Sequence, residues 1–198
     1  RVKNIKKNNI KNLNFHNKTT AVFLDRDGVI NEENKNSKIL KNFKIFPSSL
    51  LAIKKLNEKK IPCFVVSNQA GLAKGEFTLS EFYKITYKID KNLSKLGAYV
   101  YDFLICPHFT KLKYKNLNES FFSNYRKPNS GMINTLIKRY GVNRKKSFMI
   151  GDSDRDILAG KKAGLKTILI ESCKIHEYKI NIIPDFKASN LELAVNMI

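Results

Sequence analysis

Two short segments, Asp25-Arg26-Asp27-Gly28 and Gly151-Asp152-Ser153-Asp154-Arg155-Asp156, hold five of the chain's 17 acidic residues, in a protein whose formal net charge is +20. Each directly follows an apolar run, Ala21-Val22-Phe23-Leu24 in one case and Phe148-Met149-Ile150 in the other. Short apolar runs of this kind read as buried strands. The carboxylates then fall at strand C-terminal ends, where open parallel α/β sheets place their ligand sites. Carboxylates brought together repel, and a divalent cation removes that cost. The chemistry expected is a Mg2+ ion held beside a reactive aspartate.

The elements that must position these groups follow in the pattern. Strands are expected at 20–24, 61–66, 99–106, 147–150 and 166–170. Between them come helices at 47–59, from a capping box at 78–81 to about 96, at 129–140 and at 154–163, with a last short helix capped within 189–192. Pro47 suits a first helical turn, and Gly141 and Gly164 suit helix ends. Strands alternating with helices imply a parallel sheet with crossover helices. The fold class expected is therefore α/β, a three-layer α/β/α Rossmann-like sandwich on a central, mostly parallel sheet. Residues 1–18 read as a basic arm and 19–198 as a single domain, with 107–125 a long irregular loop of the kind that is often functional.

Further segments line up with the acidic islands: Ser67-Asn68-Gln69 after the second strand and Arg126-Lys127-Pro128 before the third helix. With Asp25-Arg26-Asp27-Gly28-Val29-Ile30-Asn31 and Gly151-Asp152, they resemble the four motifs of the haloacid dehalogenase (HAD) superfamily of phosphotransferases, over roughly residues 20–172. The resemblance implies that Asp25 attacks phosphorus to give an aspartyl-phosphate. Asp27 would protonate the leaving group and later deprotonate the hydrolytic water, while Arg26 between them points the other way. Mg2+ would rest on Asp25, the backbone carbonyl of Asp27, and Asp152. The Ser67 hydroxyl, the Asn68 amide and Lys127 would cradle the phosphoryl group. Asp156 reads either as a carboxylate orienting Lys127 or metal water, or as a first-turn helix charge. Asp154 reads as a helix N-cap.

The longer stretches, including Ser67 through Phe77, look like the D-glycero-D-manno-heptose 1,7-bisphosphate phosphatases and the related histidinol-phosphatases, a branch with almost no cap domain. That implies Gln69 and Lys74 near the sugar and Arg126 gripping a phosphate or hydroxyls distal to the attacked one. This branch often carries a structural zinc. Here Cys106-Pro107-His108 keeps half of its ligands, but Ser123-Asn124-Tyr125 has no cysteine where the other half belongs. Two ligands hold zinc poorly, so no zinc is expected.

Composition narrows the rest. A chain of 198 residues suits one domain with a sizeable core. Three scattered cysteines, Cys63, Cys106 and Cys173, argue against a disulfide framework and for a reducing, cytoplasmic setting. No apolar run reaches membrane-spanning length, and the basic, polar start lacks a signal-peptide core, so no membrane partner is expected. Lys and Asn are scattered along the whole chain, with no helix-turn-helix or basic helical face, so the charge is not read as a nucleic-acid surface. The expected partner is a small phosphate ester and the expected state a monomer or weak oligomer. The expected activity is Mg2+-dependent hydrolysis of heptose 1,7-bisphosphate, with histidinol phosphate and then a polynucleotide 3′-phosphate as alternative substrates.

Overall fold

The computed structural model describes residues 16, 18–33, 43–107, 123–171 and 182–198. Among the described residues six strands, β1 (Val22–Leu24), β2 (Cys63–Asn68), β3 (Asp102–Cys106), β4 (Phe148–Gly151), β5 (Lys166–Ile170) and β6 (Phe186–Ala188), form one sheet in the order β3-β2-β1-β4-β5-β6. Every pair is parallel, so the sheet expected to be mostly parallel is wholly so. The helices are α1 (Pro47–Glu58), α2 (Ala70–Ala73), α3 (Leu79–Lys95), α4 (Gly131–Tyr140), α5 (Asp154–Lys162) and α6 (Leu191–Asn196).

Alternation along each strand divides the core into two layers. Val22, Leu24, Val65 and Ile150 pack on one face with Ile53 and Leu56 of α1, Ile85 and Ile89 of α3, and Leu191 of α6. Phe23, Phe64, Val66 and Met149 pack on the other with Met132, Ile133 and Leu136 of α4 and Ala159 of α5. Both faces of a parallel sheet must be covered because crossover helices occupy them. That is why these strands read as continuous apolar runs rather than alternating ones.

The helix ends follow the local chemistry. Thr78 and Glu81 form the reciprocal capping box at the start of α3, and Pro47 opens α1. Gly141 closes α4 in the left-handed region, at φ 63°. Asn190, whose side chain accepts from Leu193 N, caps α6. The cap of α5 corrects the expectation: Ser153, not Asp154, is the N-cap, and Asp154 is the first helical residue.

The strand β6 and the one-turn helix α2 were not anticipated. The former is three residues long with two of them exposed, and the latter is four residues long, too short for periodicity to register. Most of the basic arm, most of the 107–125 loop including His108, and Cys173 lie outside the described residues. No helix among the described residues is long and apolar enough to cross a membrane.

The topology matters for function through β1. Its chain continues to β2 and β3 on one side, and β4 lies on the other, so the strand order reverses at β1. Crossovers that diverge there open a crevice at the strands' C-terminal ends. In register, Leu24 lies opposite Val65 and Ile150, which brings the residues after all three to the same edge. The Asp25 N–H donates to Ile150 O at 2.9 Å and locks the first acidic residue to β4.

Phe64 anchors the second layer. It is fully buried, with ring centroids 5.3 Å from Phe23 and 4.9 Å from Tyr140. Phe64→Ala is expected to cost about 3–5 kcal/mol of unfolding free energy, measured by urea denaturation.

Candidate active site

The crevice is a cavity of ≈ 360 Å3. All the expected site residues line it: Asp25, Asp27, Ser67, Asn68, Gln69, Lys74, Arg126, Lys127 and Asp152. They come from four places in the sequence up to 127 positions apart and meet because β1, β2 and β4 are neighbours.

Lys127 is the centre of the charge arrangement. It is 3% exposed. Its Nζ donates to Asp25 Oδ1 at 2.7 Å and to Val66 O at 2.8 Å, and it forms an ion pair with Asp156 Oδ1 at 2.7 Å. An ammonium has three N–H groups, so its capacity is filled. Burial alone would push Lys127 down, but the carboxylates of Asp156 and Asp25 hold it above its ordinary value, a fixed cation.

The backbone of Lys127 is clamped as tightly. Its N–H donates to Asn68 Oδ1 at 3.0 Å, and its carbonyl accepts from Asn68 Nδ2 at 2.9 Å. The Asn68 side chain thus fixes the lysine loop to the end of β2. Both expectations for Asp156 hold at once: it pairs with Lys127, and its Oδ2 accepts from the backbone N and the hydroxyl of Ser153 at the mouth of α5.

Asp25, Asp152 and Asp156 each offer a carboxylate oxygen, all within 4.8 Å of one another. Lys127, paired with Asp25 and Asp156, brings one positive charge to three carboxylates. Burial, partly countered by Lys127 and reinforced by Asp156 and Asp27, pushes Asp25 up to about 7. Burial and the charges of Asp25 and Asp156 push Asp152 up to about 8. A divalent cation held here would add positive charge, and hard oxygen donors suit Mg2+. With Asp156 committed to Lys127 and Ser153, the side chains fitted to hold it are Asp25 and Asp152.

Glycine provides the room. At Gly28 (φ +80°) a Cβ would fall 1.8 Å from Asp152 Oδ2. The turn after Asp27 therefore needs glycine for its conformation and for the approach of the second acid.

Asp27 has a different environment. Arg26 does not point away from it: the guanidinium folds back, donating to Asp27 Oδ1 from Nε (3.1 Å) and Nη2 (2.7 Å) and to Oδ2 from Nη2 (2.8 Å). The extended chain on which the contrary expectation rested ends at Leu24, and the turn that follows brings successive side chains to one side. Asn31 donates to Asp27 Oδ1 at 2.9 Å and Gln69 to Oδ2 at 2.8 Å. Burial pushes Asp27 up, but the Arg26 charge and these hydrogen bonds hold it below the ordinary carboxylate value.

Asn31, 1% exposed, was not foreseen as part of the site beyond its place in a motif. Glu33, Phe43, Glu76, Ser153 and Arg155 also line the cavity. Ser153 and Arg155 carried a signal by lying inside the second acidic island, and Glu76 by lying in the Ser67-to-Phe77 stretch. Lys74 is at the rim, paired with Glu76 at 3.3 Å. Cys106 is buried at the end of β3.

Carboxylates gathered beside a buried ammonium at the C-terminal edge of a parallel sheet fit one class, the phosphohydrolases of the HAD-like type. The comparisons agree. Residues 124–192 match a family model described as HAD-hydrolase-like. The D-glycero-α-D-manno-heptose-1,7-bisphosphate 7-phosphatase of Photorhabdus laumondii is 32% identical over 150 residues, 76% of this chain and 81% of that protein. The β-anomer 7-phosphatase of Pasteurella multocida is 33% identical over 155 residues, 78% of this chain and 83% of that one. In fold, the D,D-heptose 1,7-bisphosphate phosphatase of B. bronchiseptica, crystallised with magnesium and phosphate, superposes with a TM-score of 0.75 at 24% identity, covering 90% of this chain and 97% of that one. The chain belongs to the heptose-bisphosphate phosphatase family of the HAD superfamily and is a phosphatase.

The charge imbalance has a thermodynamic consequence. Asp25 and Asp152 have ordinary values of 3.8 and are raised to about 7 and 8 in the fold. The folded protein therefore binds more protons than the unfolded chain between these limits. Their contribution to stability is fully present below the unfolded value and is lost as pH rises through the folded ones. Asp27 acts in the opposite sense, and only in acid. Mg2+ should therefore raise the Tm of the metal-free protein more at about pH 8.5, where it meets bare carboxylates, than at about pH 5, where it must displace protons. Differential scanning fluorimetry reads this directly. In Gly28→Ala the Mg2+-dependent shift should vanish at both pH values, because the methyl group displaces Asp152.

Proposed function

We propose that this phosphatase removes the 7-phosphate of D-glycero-D-manno-heptose 1,7-bisphosphate through an aspartyl-phosphate on Asp25. The observation that carries the proposal is the placement of Asp25: one carboxylate oxygen is bonded to Lys127, and among the described residues no donor engages the other. Oδ2 attacks phosphorus, forming an O–P bond to Asp25 as the bond from phosphorus to the sugar oxygen breaks. Asp27 delivers a proton to that departing oxygen. Its pocket favours the carboxylate, and the dianionic ester placed beside it works against this by repulsion. Asp27 then takes a proton from the water that attacks the phosphoaspartate, releasing inorganic phosphate and restoring Asp25.

Ser67 has a hydroxyl that accepts from Gln69 Nε2 at 2.7 Å, so its own hydrogen is available to a phosphoryl oxygen. Lys127 holds Asp25 in place and offers positive charge where the transferred group becomes most negative. Mg2+, bound by Asp25 and Asp152, would screen the repulsion between the attacking carboxylate and the phosphoryl oxygens and draw charge from the latter. Arg126, Lys74 and Arg155 are cations that line the cavity, of the kind that would meet the distal phosphate of a bisphosphate.

Relatives named for the α- and the β-anomer match this chain about equally well. The deciding measurement is therefore kcat/KM across a panel of both heptose 1,7-bisphosphate anomers, histidinol phosphate and a 3′-phosphorylated oligonucleotide. The expected order places a heptose bisphosphate first; faster turnover of either other substrate overturns the assignment. Asp25→Asn should lose at least about 10^3-fold in kcat while keeping its circular dichroism spectrum, and chelation of Mg2+ should abolish turnover.

A further inference from the structure

Gln69 was expected beside the sugar, and it does line the cavity. Yet it is 4% exposed, and its amide is committed at both ends. Nε2 donates to Asp27 Oδ2 at 2.8 Å and to Ser67 Oγ at 2.7 Å. Oε1 accepts from Arg26 Nη2 at 3.3 Å. The partners dictate this orientation, because an ionised carboxylate can only accept and a guanidinium can only donate. Both amide hydrogens are used, so none is left for a ligand.

The rest of the residue is fixed as well. The Gln69 N–H donates to Cys106 O at 2.8 Å, and its carbonyl accepts from Leu72 N at 3.2 Å as α2 begins. Arg26 is 5% exposed, and its Cζ lies 5.6 Å from the centre of the Phe82 ring, a cation–π contact. Gln69 thus stands in a buried chain that runs from Phe82 through Arg26 and Asp27 to Ser67.

Resting on the reading that Asp27 protonates the leaving group, we infer that Gln69 is a positioning residue that holds Asp27 and Ser67 in one fixed relation. The proton donor and the hydroxyl that grips the phosphoryl group then address the same ester. Gln69 also sets the direction of Ser67: a hydroxyl that accepts from the amide must turn its own hydrogen elsewhere. A carboxylate at this position would reverse that, drawing the Ser67 proton to itself and pressing a second negative charge on Asp27.

The test uses leaving groups. A sugar alkoxide needs a proton as it departs, whereas p-nitrophenolate does not. The parameter kcat/KM covers only the steps through transfer of phosphorus to the enzyme, which isolates Asp27's donation from its later part in hydrolysis. Gln69→Glu and Gln69→Leu, a charged and an uncharged replacement of similar size, should each cut kcat/KM about 100-fold on the alkyl phosphate that the wild-type chain turns over fastest. The loss on p-nitrophenyl phosphate should be less than about 10-fold. Asp27→Asn should give the same imbalance, and Ser67→Ala should lower both substrates alike. Retention of the Mg2+-dependent Tm shift establishes that the variants fold.

Equal losses on the two substrates in the Gln69 variants, or no loss on either, overturn the assignment of Gln69 while leaving Asp27 as the acid if Asp27→Asn remains selective. Unselective loss in Asp27→Asn overturns the acid role, and the positioning role with it.

Discussion

The structure turns on the salt bridge that Lys127 makes to Asp25 and Asp156 in the floor of the cavity. An ammonium taken from water into a protein interior loses several kcal/mol of solvation, recovered only when every N–H is matched. Here two carboxylates and the Val66 carbonyl do so. Each partner belongs to a different strand end: Asp25 follows β1, Val66 lies in β2, and Asp156 stands in the first turn after β4. The same contacts that satisfy the charge therefore tie three parallel strands and the α4 approach together at one edge. Asn68 repeats the logic with the backbone, its side-chain amide holding the peptide of Lys127.

This arrangement explains what could be read from the sequence. The acids and the strands before them were legible because both signals are local: a buried parallel strand is a run of apolar residues, and carboxylates after such a run need a reason to be there. Asp25, Asp27, Ser67, Lys127 and Asp152 reach one cavity because those five positions are the ends of elements that the apolar periodicity already marks. The branch-level likeness carried the reading from a metal site to a phosphatase, which spacing alone did not.

What escaped the sequence was direction. That Arg26 turns back onto Asp27 depends on a turn whose geometry is set by Gly28 and the approach of Asp152. That the side chains of Asn68 and Gln69 bond to Lys127 and Asp27 depends on contacts across 59 and 42 positions. The displacement of the α5 cap from Asp154 to Ser153 has the same origin, since a run of alternating acids offers several cap candidates and only the strand end chooses among them. The strand β6 was hidden for another reason: an edge strand of three residues buries one side chain and leaves almost no hydrophobic pattern.

The two aspartates of the first island show how far surroundings can separate like groups. Asp25 and Asp27 lie two residues apart and both suffer burial, which favours the neutral acid. At Asp25 burial prevails, because the ammonium of Lys127 is shared with Asp156 while Asp156 and Asp27 add repulsion. At Asp27 burial loses to a guanidinium and to amide donors from Asn31 and Gln69. On the proposed mechanism Asp25 must be ionised to attack, yet its surroundings favour the neutral acid. Lys127 divides its charge between Asp25 and Asp156. A cation held by Asp25 and Asp152 would favour the ionised form. Asp27 needs no such help, because Arg26, its neighbour in sequence, already supplies the charge that keeps it in place.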